Sequence, residues 1–355
     1  MKILYTINGL GLGGAEKVVC DLADEMVLRG YKVKIVYLTG SVLVKPVSSK
    51  IEIIPLYVNS IGDCIKASIK YQKVVREFIP DVIHSHMFHS NVFARLNHLS
   101  FRNIRLICTA HNSNEGGRGR MLAYKLTNFL SNLNTNVSHE ASAALISKGA
   151  FNKNNLITIY NGISLDKFNF LNKDICSNDE LNFLSIGRFD QQKDYPNLFK
   201  AISILKVRLN RQLKFYIVGD GELRPQLEQL IIELEISDCV ILLGKRSDIS
   251  SLLNKADYFI LPSKHEGLPT VVIEAMACGT FVVATDCGGS AEIMGDTGIL
   301  VPPQNSEALA QALTEAVKKT PLEIKENNFK ARQRVEELFS LEKSVENWLK
   351  IYKNE

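Results

Sequence analysis

Two glutamates, Glu266 and Glu274, bracket the stretch Glu266-Gly267-Leu268-Pro269-Thr270-Val271-Val272-Ile273-Glu274. The apolar run Val271 to Ala277 predicts a helix, and proline suits a helix's first turn, where its missing N–H costs nothing. Glu266 is therefore expected on the loop at the helix mouth, with Glu274 roughly one to two turns inside. Between them the free N–H groups of the helix start point outward, ready for an anion. Two acceptors for hydroxyl groups flanking a diphosphate-sized anion site describe a nucleotide-sugar pocket.

Upstream, Gly187-Arg188-Phe189-Asp190-Gln191-Gln192-Lys193 follows an expected strand. Arg188 falls at the strand's carboxyl end and Lys193 just before the next helix. Two cations there can neutralise a diphosphate leaving group without a metal ion. An isolated Arg/Lys pair is more often a surface salt-bridge partner; in company with the glutamates, function is the better reading.

Histidines raise two further questions. His111, in Thr109-Ala110-His111-Asn112, follows a strand of the first half and is expected to reach a cleft, although strand-end histidines are commonly structural hydrogen-bonders. His84, His86 and His89 invite a metal reading. His84 and His86 share one face of an extended strand, but no acidic partner follows at close spacing, so they read as lining residues.

Gly9-Leu10-Gly11-Leu12-Gly13-Gly14 satisfies G-x-G-x-x-G between a strand and a helix. A dinucleotide site also needs an acidic residue at the end of the second strand to hold the ribose. Here that strand ends Tyr37-Leu38-Thr39-Gly40, which disfavours an NAD enzyme. The loop can still bring backbone amides close to a phosphate or a sugar, or simply make a tight strand–helix turn.

These residues are positioned by a repeated strand–helix rhythm. In the first half, strands are expected at Lys2–Ile7, Val33–Leu38, Asp81–His84, Ile104–Thr109 and Asn155–Ile159, with a helix at Ala15–Arg29. The polar stretch Asp166–Glu180 reads as a linker. The rhythm restarts with strands at Phe183–Ile186, Phe215–Val218, Val240–Leu243, Tyr258–Leu261 and Phe281–Ala284. Helices are expected around 196–209, 223–234, 248–254 and 271–277. Such alternation argues for two α/β domains, each a doubly wound parallel sheet, facing one another across a cleft. We place a first domain at 1–165 and a second at 166–335. Residues 321–353 read as helix, and 336–355 are expected to pack back on the first domain.

Bulk properties bound the function. The 355 residues suffice for two cores, and 46% hydrophobic with 23% charged residues is an ordinary globular composition. No apolar run approaches the roughly 18 residues of a membrane span. The chain opens on a strand pattern, unlike a signal peptide. Seven scattered cysteines without C-x-x-C fit reduced thiols in the cytosol better than disulfides or a zinc site. The net charge of +4 hides a polarity: residues 1–165 carry 19 Lys+Arg against 10 Asp+Glu, and residues 166–355 carry 23 against 28. A basic half joined to an acidic half implies that one end faces an anionic partner. The segment Ile65–Phe78 places Lys66, Lys70, Lys73 and Arg76 along a helix that can rest on anionic headgroups, or be a solvated surface.

Together these residues resemble the GT-B glycosyltransferases of family 4, and the resemblance runs over nearly the whole chain. It rests on Gly13-Gly14-Ala15-Glu16, His111, Asn161-Gly162, Gly187-Arg188…Lys193, Gly219-Asp220-Gly221 and Glu266…Glu274. It implies retaining transfer of a sugar from a nucleotide-diphosphate donor, UDP-linked or else GDP-linked, without a metal or other cofactor. By the resemblance Arg188 and Lys193 bind the diphosphate, and Glu274 accepts from the ribose hydroxyls. Glu266 contacts the donor sugar, and backbone amides of Gly267, Leu268, Pro269 and Thr270 complete the anion site (proline contributing position only). His111 orients the sugar, Gly187 and Gly219 line the donor side, and Gly13 and Gly14 let the first domain close over the phosphates. The residue after Lys193 departs from the pattern: it is Asp194, where the family often has glycine.

The resemblance further implies a glycan acceptor, lipid-linked or free oligosaccharide, in bacterial surface polysaccharide or lipopolysaccharide synthesis. The basic half favours a lipid-linked acceptor and a peripheral place on the inner face of the cytoplasmic membrane; nothing points to nucleic acid. A nucleotide-sugar 2-epimerase of the same architecture and a non-catalytic sugar-nucleotide-binding module are the alternatives.

Overall fold

The computed structural model describes residues 1–113, 116–171, 180–209 and 211–355. The chain divides into two compact units, Met1–Ile163 with Leu341–Glu355, and Ser164–Ser340. Part of the expected linker, residues 172–179, lies outside the described residues.

The first unit is built on seven strands: β1 (Lys2–Ile7), β2 (Lys32–Tyr37), β3 (Glu52–Pro55), β4 (Val82–His86), β5 (Arg105–Ala110), β6 (Leu133–Asn136) and β7 (Leu156–Thr158). They pair in parallel in the order β3-β2-β1-β4-β5-β6-β7. Helices α1 (Gly14–Leu28), α2 (Cys64–Phe78), α3 (Phe88–His98), α4 (Arg118–Thr127) and α5 (His139–Ser147) connect them. Strand β1 shows why the sheet is covered on both sides. Ile3, Tyr5 and Ile7 enter a core with Val19, Met26 and Trp348, whereas Leu4 enters another with Tyr71, Val75 and Phe93. A strand buried on both faces reads as a nearly continuous apolar run, and β1 is apolar but for Lys2 and Thr6.

The second unit repeats the plan with β8 (Glu180–Ile186), β9 (Gln212–Val218), β10 (Val240–Gly244), β11 (Tyr258–Leu261), β12 (Phe281–Thr285) and β13 (Ile299–Val301). All its pairs are parallel, in the order β10-β9-β8-β11-β12-β13. Its helices are α6 (Tyr195–Arg208), α7 (Arg224–Glu233), α8 (Ile249–Lys255), α9 (Thr270–Ala277), α10 (Ser290–Met294), α11 (Ser306–Lys318) and α12 (Pro321–Leu338). Phe183 stacks on Phe215 at 4.5 Å and on Tyr258 at 5.1 Å between ring centroids, locking β8 between β9 and β11. Offset aromatic packing of this kind adds to the burial energy of the rings.

The tail corrects one expectation. Residues 321–353 form two helices, with Phe339 and Ser340 between α12 and α13 (Leu341–Lys353). Residues 336–338 thus close α12 within the second unit, and the element that belongs to the first unit begins at Leu341. Leu341, Val345, Trp348 and Tyr352 fall on one face of α13 and are buried in the core around β1. No helix among the described residues is long and apolar enough to cross a membrane.

Candidate active site

In both sheets the strand order reverses beside the first strand of the unit, between β1 and β4 and between β8 and β11. Loops leaving the carboxyl ends of such strands diverge and leave a crevice where ligands bind. In the second unit the loop after β8 carries Gly187, Arg188 and Lys193, and the loop after β11 carries Glu266. The fold brings them together. Lys193 Nζ donates to Glu266 Oε1 at 2.5 Å, with the side chains 15% and 9% exposed. Ser263 Oγ donates to the same oxygen at 2.7 Å.

The loop after β8 is ordered from within. Phe189 is buried, and its N–H bonds Asp220 O at 3.0 Å. The Asp190 carboxylate accepts from the N–H groups of Gln192 and Lys193 at 3.1 and 3.2 Å, an Asx-type turn. Its other oxygen lies 3.1 Å from Arg188 Nη2. Arg188 is 65% exposed at its side chain, so this pair is weak and the guanidinium can turn to an incoming anion. Gly219, after β9, lies against the same loop. A Cβ there would fall 1.8 Å from Gly187 O, so only glycine permits this approach at its φ of +150°.

The loop after β11 runs Pro262 to Pro269 into α9. Pro269 was expected inside the first turn; it occupies the cap position, φ −71° and ψ 93°, and offers no side-chain acceptor. The helix start therefore has no side-chain cap, which leaves its amides suited to an anionic ligand. Glu266 precedes the helix and Glu274 lies one turn inside it, both buried. Gly267, Leu268 and Pro269 lead from Glu266 to Thr270, the first residue of α9.

Several supporting residues carried no signal in the sequence reading. Thr285 Oγ1 donates to Ser263 O at 2.7 Å, and Gly289 N–H to Gly267 O at 2.7 Å. Gly288, at φ +57°, passes so close that a Cβ would meet Glu266 O at 2.5 Å. The Gly288-Gly289 pair in the loop after β12 was the available clue, since a double glycine beyond a strand's carboxyl end marks close backbone approach.

His111, Gly13 and Gly14 belong to the first unit. His111 Nε2 is 3.0 Å from His86 Nδ1, and burial pushes its imidazolium down to about 4, so the ring is neutral at pH 7. His84 and His86 are fully buried, not lining residues as expected. His84 bonds Tyr352 OH at 2.6 Å and Thr109 Oγ1 at 2.7 Å, which explains its presence without a ligand. His89 faces Asn8 at 3.3 Å. No group of three His, Cys, Asp or Glu among the described residues is arranged to hold a metal ion. Gly13 is the cap residue of α1, and a Cβ there would collide with the Glu16 carboxylate at 2.3 Å. That carboxylate, folded over Gly13, is a feature the sequence reading did not anticipate for a phosphate-facing loop.

Comparison with known proteins identifies the family. The Glycosyltransferase Family 4 domain matches residues 12–167, and glycosyl transferases group 1 matches residues 167–335. A Campylobacter jejuni N-acetylgalactosamine-N,N'-diacetylbacillosaminyl-diphospho-undecaprenol 4-alpha-N-acetylgalactosaminyltransferase is 26% identical, over 88% of this chain and 89% of its own. A second Campylobacter jejuni protein, a GalNAc-alpha-(1->4)-GalNAc-alpha-(1->3)-diNAcBac-PP-undecaprenol alpha-1,4-N-acetyl-D-galactosaminyltransferase, is 27% identical over 99% and 98%. Among solved structures, sucrose-phosphate synthase from Thermosynechococcus elongatus superposes with a TM-score of 0.85 at 19% identity, covering 100% and 99% of the two chains. Anabaena HepE in complex with UDP and glucose gives 0.82 at 21%, with both chains fully covered. Two consecutive family matches, a shared fold and relatives of nearly the same length converge: the chain belongs to the family 4 glycosyltransferases of GT-B fold, and it is a glycosyltransferase.

Proposed function

We propose that this glycosyltransferase moves a sugar, with retention of anomeric configuration, from a UDP donor held in the second unit to a glycan acceptor on a lipid diphosphate. The carrying observation is the meeting of Lys193 and Glu266 at the switch point of the second sheet, next to the uncapped start of α9. In this reading the acceptor hydroxyl oxygen bonds to the anomeric carbon as the bond to the diphosphate oxygen breaks. The diphosphate leaves with the electron pair, and its oxygen takes the acceptor's proton on the same face. Lys193, Arg188 and the α9 amides stabilise the charge that grows there, so no divalent metal is required. Glu266 accepts from the donor sugar's hydroxyls and Glu274 from the ribose. His111, neutral at pH 7, serves as a hydrogen-bonding group that orients the sugar.

Uridine as the base is supported by the Anabaena neighbour solved with UDP and glucose. A lipid-linked acceptor, and a place in bacterial surface polysaccharide synthesis, are supported by the undecaprenol-linked substrates in the Campylobacter relatives' names. The reading is tested with a panel of UDP-, GDP- and ADP-sugars in excess EDTA, following slow hydrolysis and thermal stabilisation. UDP-sugars should act alone and without metal; indifference to every donor would reject the pocket. Product formed without any acceptor, as a new epimer, would favour the 2-epimerase instead.

The same reading places the first unit on the inner face of the cytoplasmic membrane. Helix α2 exposes Lys66, Lys70, Lys73 and Arg76 together with Ile65, 73% exposed, and Ile69, 66% exposed. Basic and apolar side chains alternating on one exposed helix suit an anionic interface. Flotation with anionic liposomes at low salt should carry the protein upward, and neutral liposomes should not; equal recovery with both would remove the membrane from the proposal.

A further inference from the structure

The contact between the two donor-side loops is wider than one ion pair. Three consecutive residues, Gln192, Lys193 and Asp194, face three others, Lys264, His265 and Glu266. Gln192 O accepts the N–H of Lys264 at 2.8 Å, and Gln192 Nε2 donates to His265 O at 2.8 Å. Lys193 pairs with Glu266, and Lys264 Nζ lies 3.5 Å from Asp194 Oδ1. We propose that Asp194 is a positioning residue: through Lys264 its carboxylate holds the loop carrying Lys193 in register with the loop carrying Glu266, so that cation and carboxylate meet the donor as a preset pair. The inference rests on reading this crevice as the donor pocket.

Two features separate this role from plain structural support. Asp194 adopts φ +48° and ψ 44°, a left-handed conformation that is cheapest for glycine and, among residues with a Cβ, best tolerated by Asn and Asp. Its side chain is also buried, 7% exposed against 32% for Lys264. Burial raises the Asp194 carboxyl above its ordinary range, and the opposing attractions of Lys264 and Lys200 do not reverse this. An acid whose folded pKa is raised loses stability as pH rises through that pKa, so the ionised form works against folding. Backbone conformation and desolvation both cost Asp194 stability, and glycine would relieve both. What glycine lacks is the carboxylate that reaches Lys264 and the Asn197 N–H at the start of α6.

The test compares Asp194→Asn, which keeps size and tolerates the left-handed conformation, with Asp194→Gly, Lys264→Met, the double variant Asp194→Asn/Lys264→Met, and the reversal Asp194→Lys/Lys264→Asp. Melting temperature, UDP affinity, donor KM and kcat, and amide hydrogen exchange of 188–194 and 263–268 are measured on the full chain. We expect Asp194→Gly to melt at or above the wild type, yet to exchange faster in both loops. Donor KM should rise about tenfold in either single variant while kcat moves by less than about threefold, because a preset pair acts on bound donor and transition state alike. The double variant should be no worse than either single, and the reversal should recover part of the affinity. Donor KM within about twofold of wild type, or additive losses in the double variant, would overturn the inference. A wild type that takes no nucleotide sugar sinks the donor pocket itself; the tether then stands or falls on whether exchange accelerates in Asp194→Asn.

Discussion

Lys193 and Glu266, 73 residues apart in sequence, are joined across the switch point of the second sheet by a 2.5 Å ion pair with little exposure on either side. Each therefore satisfies the other's charge before a donor arrives. On the proposed reading the two meet the donor already paired, Lys193 toward the diphosphate and Glu266 toward the sugar hydroxyls. Removing one partner of such a pair leaves a partly buried charge uncompensated, so stability and catalysis have to be separated in any test.

Lys193→Ala should lower turnover by a factor of roughly 10² and also lower the melting temperature, since the Glu266 carboxylate loses its paired cation. Adding Glu266→Gln should restore the melting temperature without restoring turnover. Arg188→Ala, at an exposed site, should leave the melting temperature in place while losing turnover on a similar scale. Steady-state rates and thermal melts on the four proteins check this. Wild-type turnover in both Arg188→Ala and Lys193→Ala would remove them from the mechanism.

Glu274→Gln removes charge and keeps shape one turn inside α9. If the carboxylate accepts ribose hydroxyls, UDP affinity measured by calorimetry should fall about tenfold, with the affinity for free diphosphate unchanged. Unaltered UDP affinity would show the ribose lies elsewhere.

Much of this was legible in the sequence because buried parallel strands advertise themselves. Lys2–Ile7, apolar but for Lys2 and the buried Thr6, and the unbroken apolar runs Tyr258–Leu261 and Phe281–Ala284 all form strands at or within a residue of those bounds. Strand β6, Leu133-Asn134-Thr135-Asn136, was invisible because its polarity is satisfied only in three dimensions. Buried Arg95 donates to Asn134 Oδ1 at 2.6 Å, and Thr135 Oγ1 meets Thr109 Oγ1 at 2.7 Å. The short edge strands β3 and β13 left too little pattern to read. Pieces of the site were legible for another reason: strand–helix alternation places Gly187–Lys193 and Glu266–Glu274 at carboxyl ends. Their contact, the left-handed Asp194 and the Lys264 tether depend on which strands are neighbours, which the rhythm alone does not specify.

The first unit should be acid-sensitive. Burial lowers the pKa of His84, His86 and His111, with His111 reaching about 4, so each is held neutral in the folded chain and protonates more readily when unfolded. A base with a depressed folded pKa contributes stability that is present above its unfolded value near 6.5 and lost as pH falls toward the folded one. Melting temperature should therefore drop between about pH 6.5 and pH 4, and His84→Gln should flatten that slope. A profile equally steep in the variant would assign the acid sensitivity to other groups.

Trp348 makes the first unit's tail open to direct measurement. It is the chain's single tryptophan, 2% exposed, with its ring 4.4 Å from that of His84 and stacked on Tyr352 at 5.9 Å. Its fluorescence in denaturant therefore reports on α13 and the sheet beneath it, while circular dichroism reports on the whole chain. Tyr352→Phe removes the hydroxyl that bonds His84 at 2.6 Å and Tyr5 at 3.2 Å, leaving two buried polar groups short of a partner. The expected cost is about 1–3 kcal/mol, seen as an earlier fluorescence transition with little change in the later part of the dichroism curve. Leu341→Ala and Val345→Ala, which remove apolar contacts from the same helix face, should each shift the fluorescence midpoint in the same direction, Leu341→Ala more because it removes the larger buried side chain. If all three variants unfolded with coincident probes, α13 would be energetically continuous with both units, and the assignment of its packing energy to the first sheet alone would be wrong.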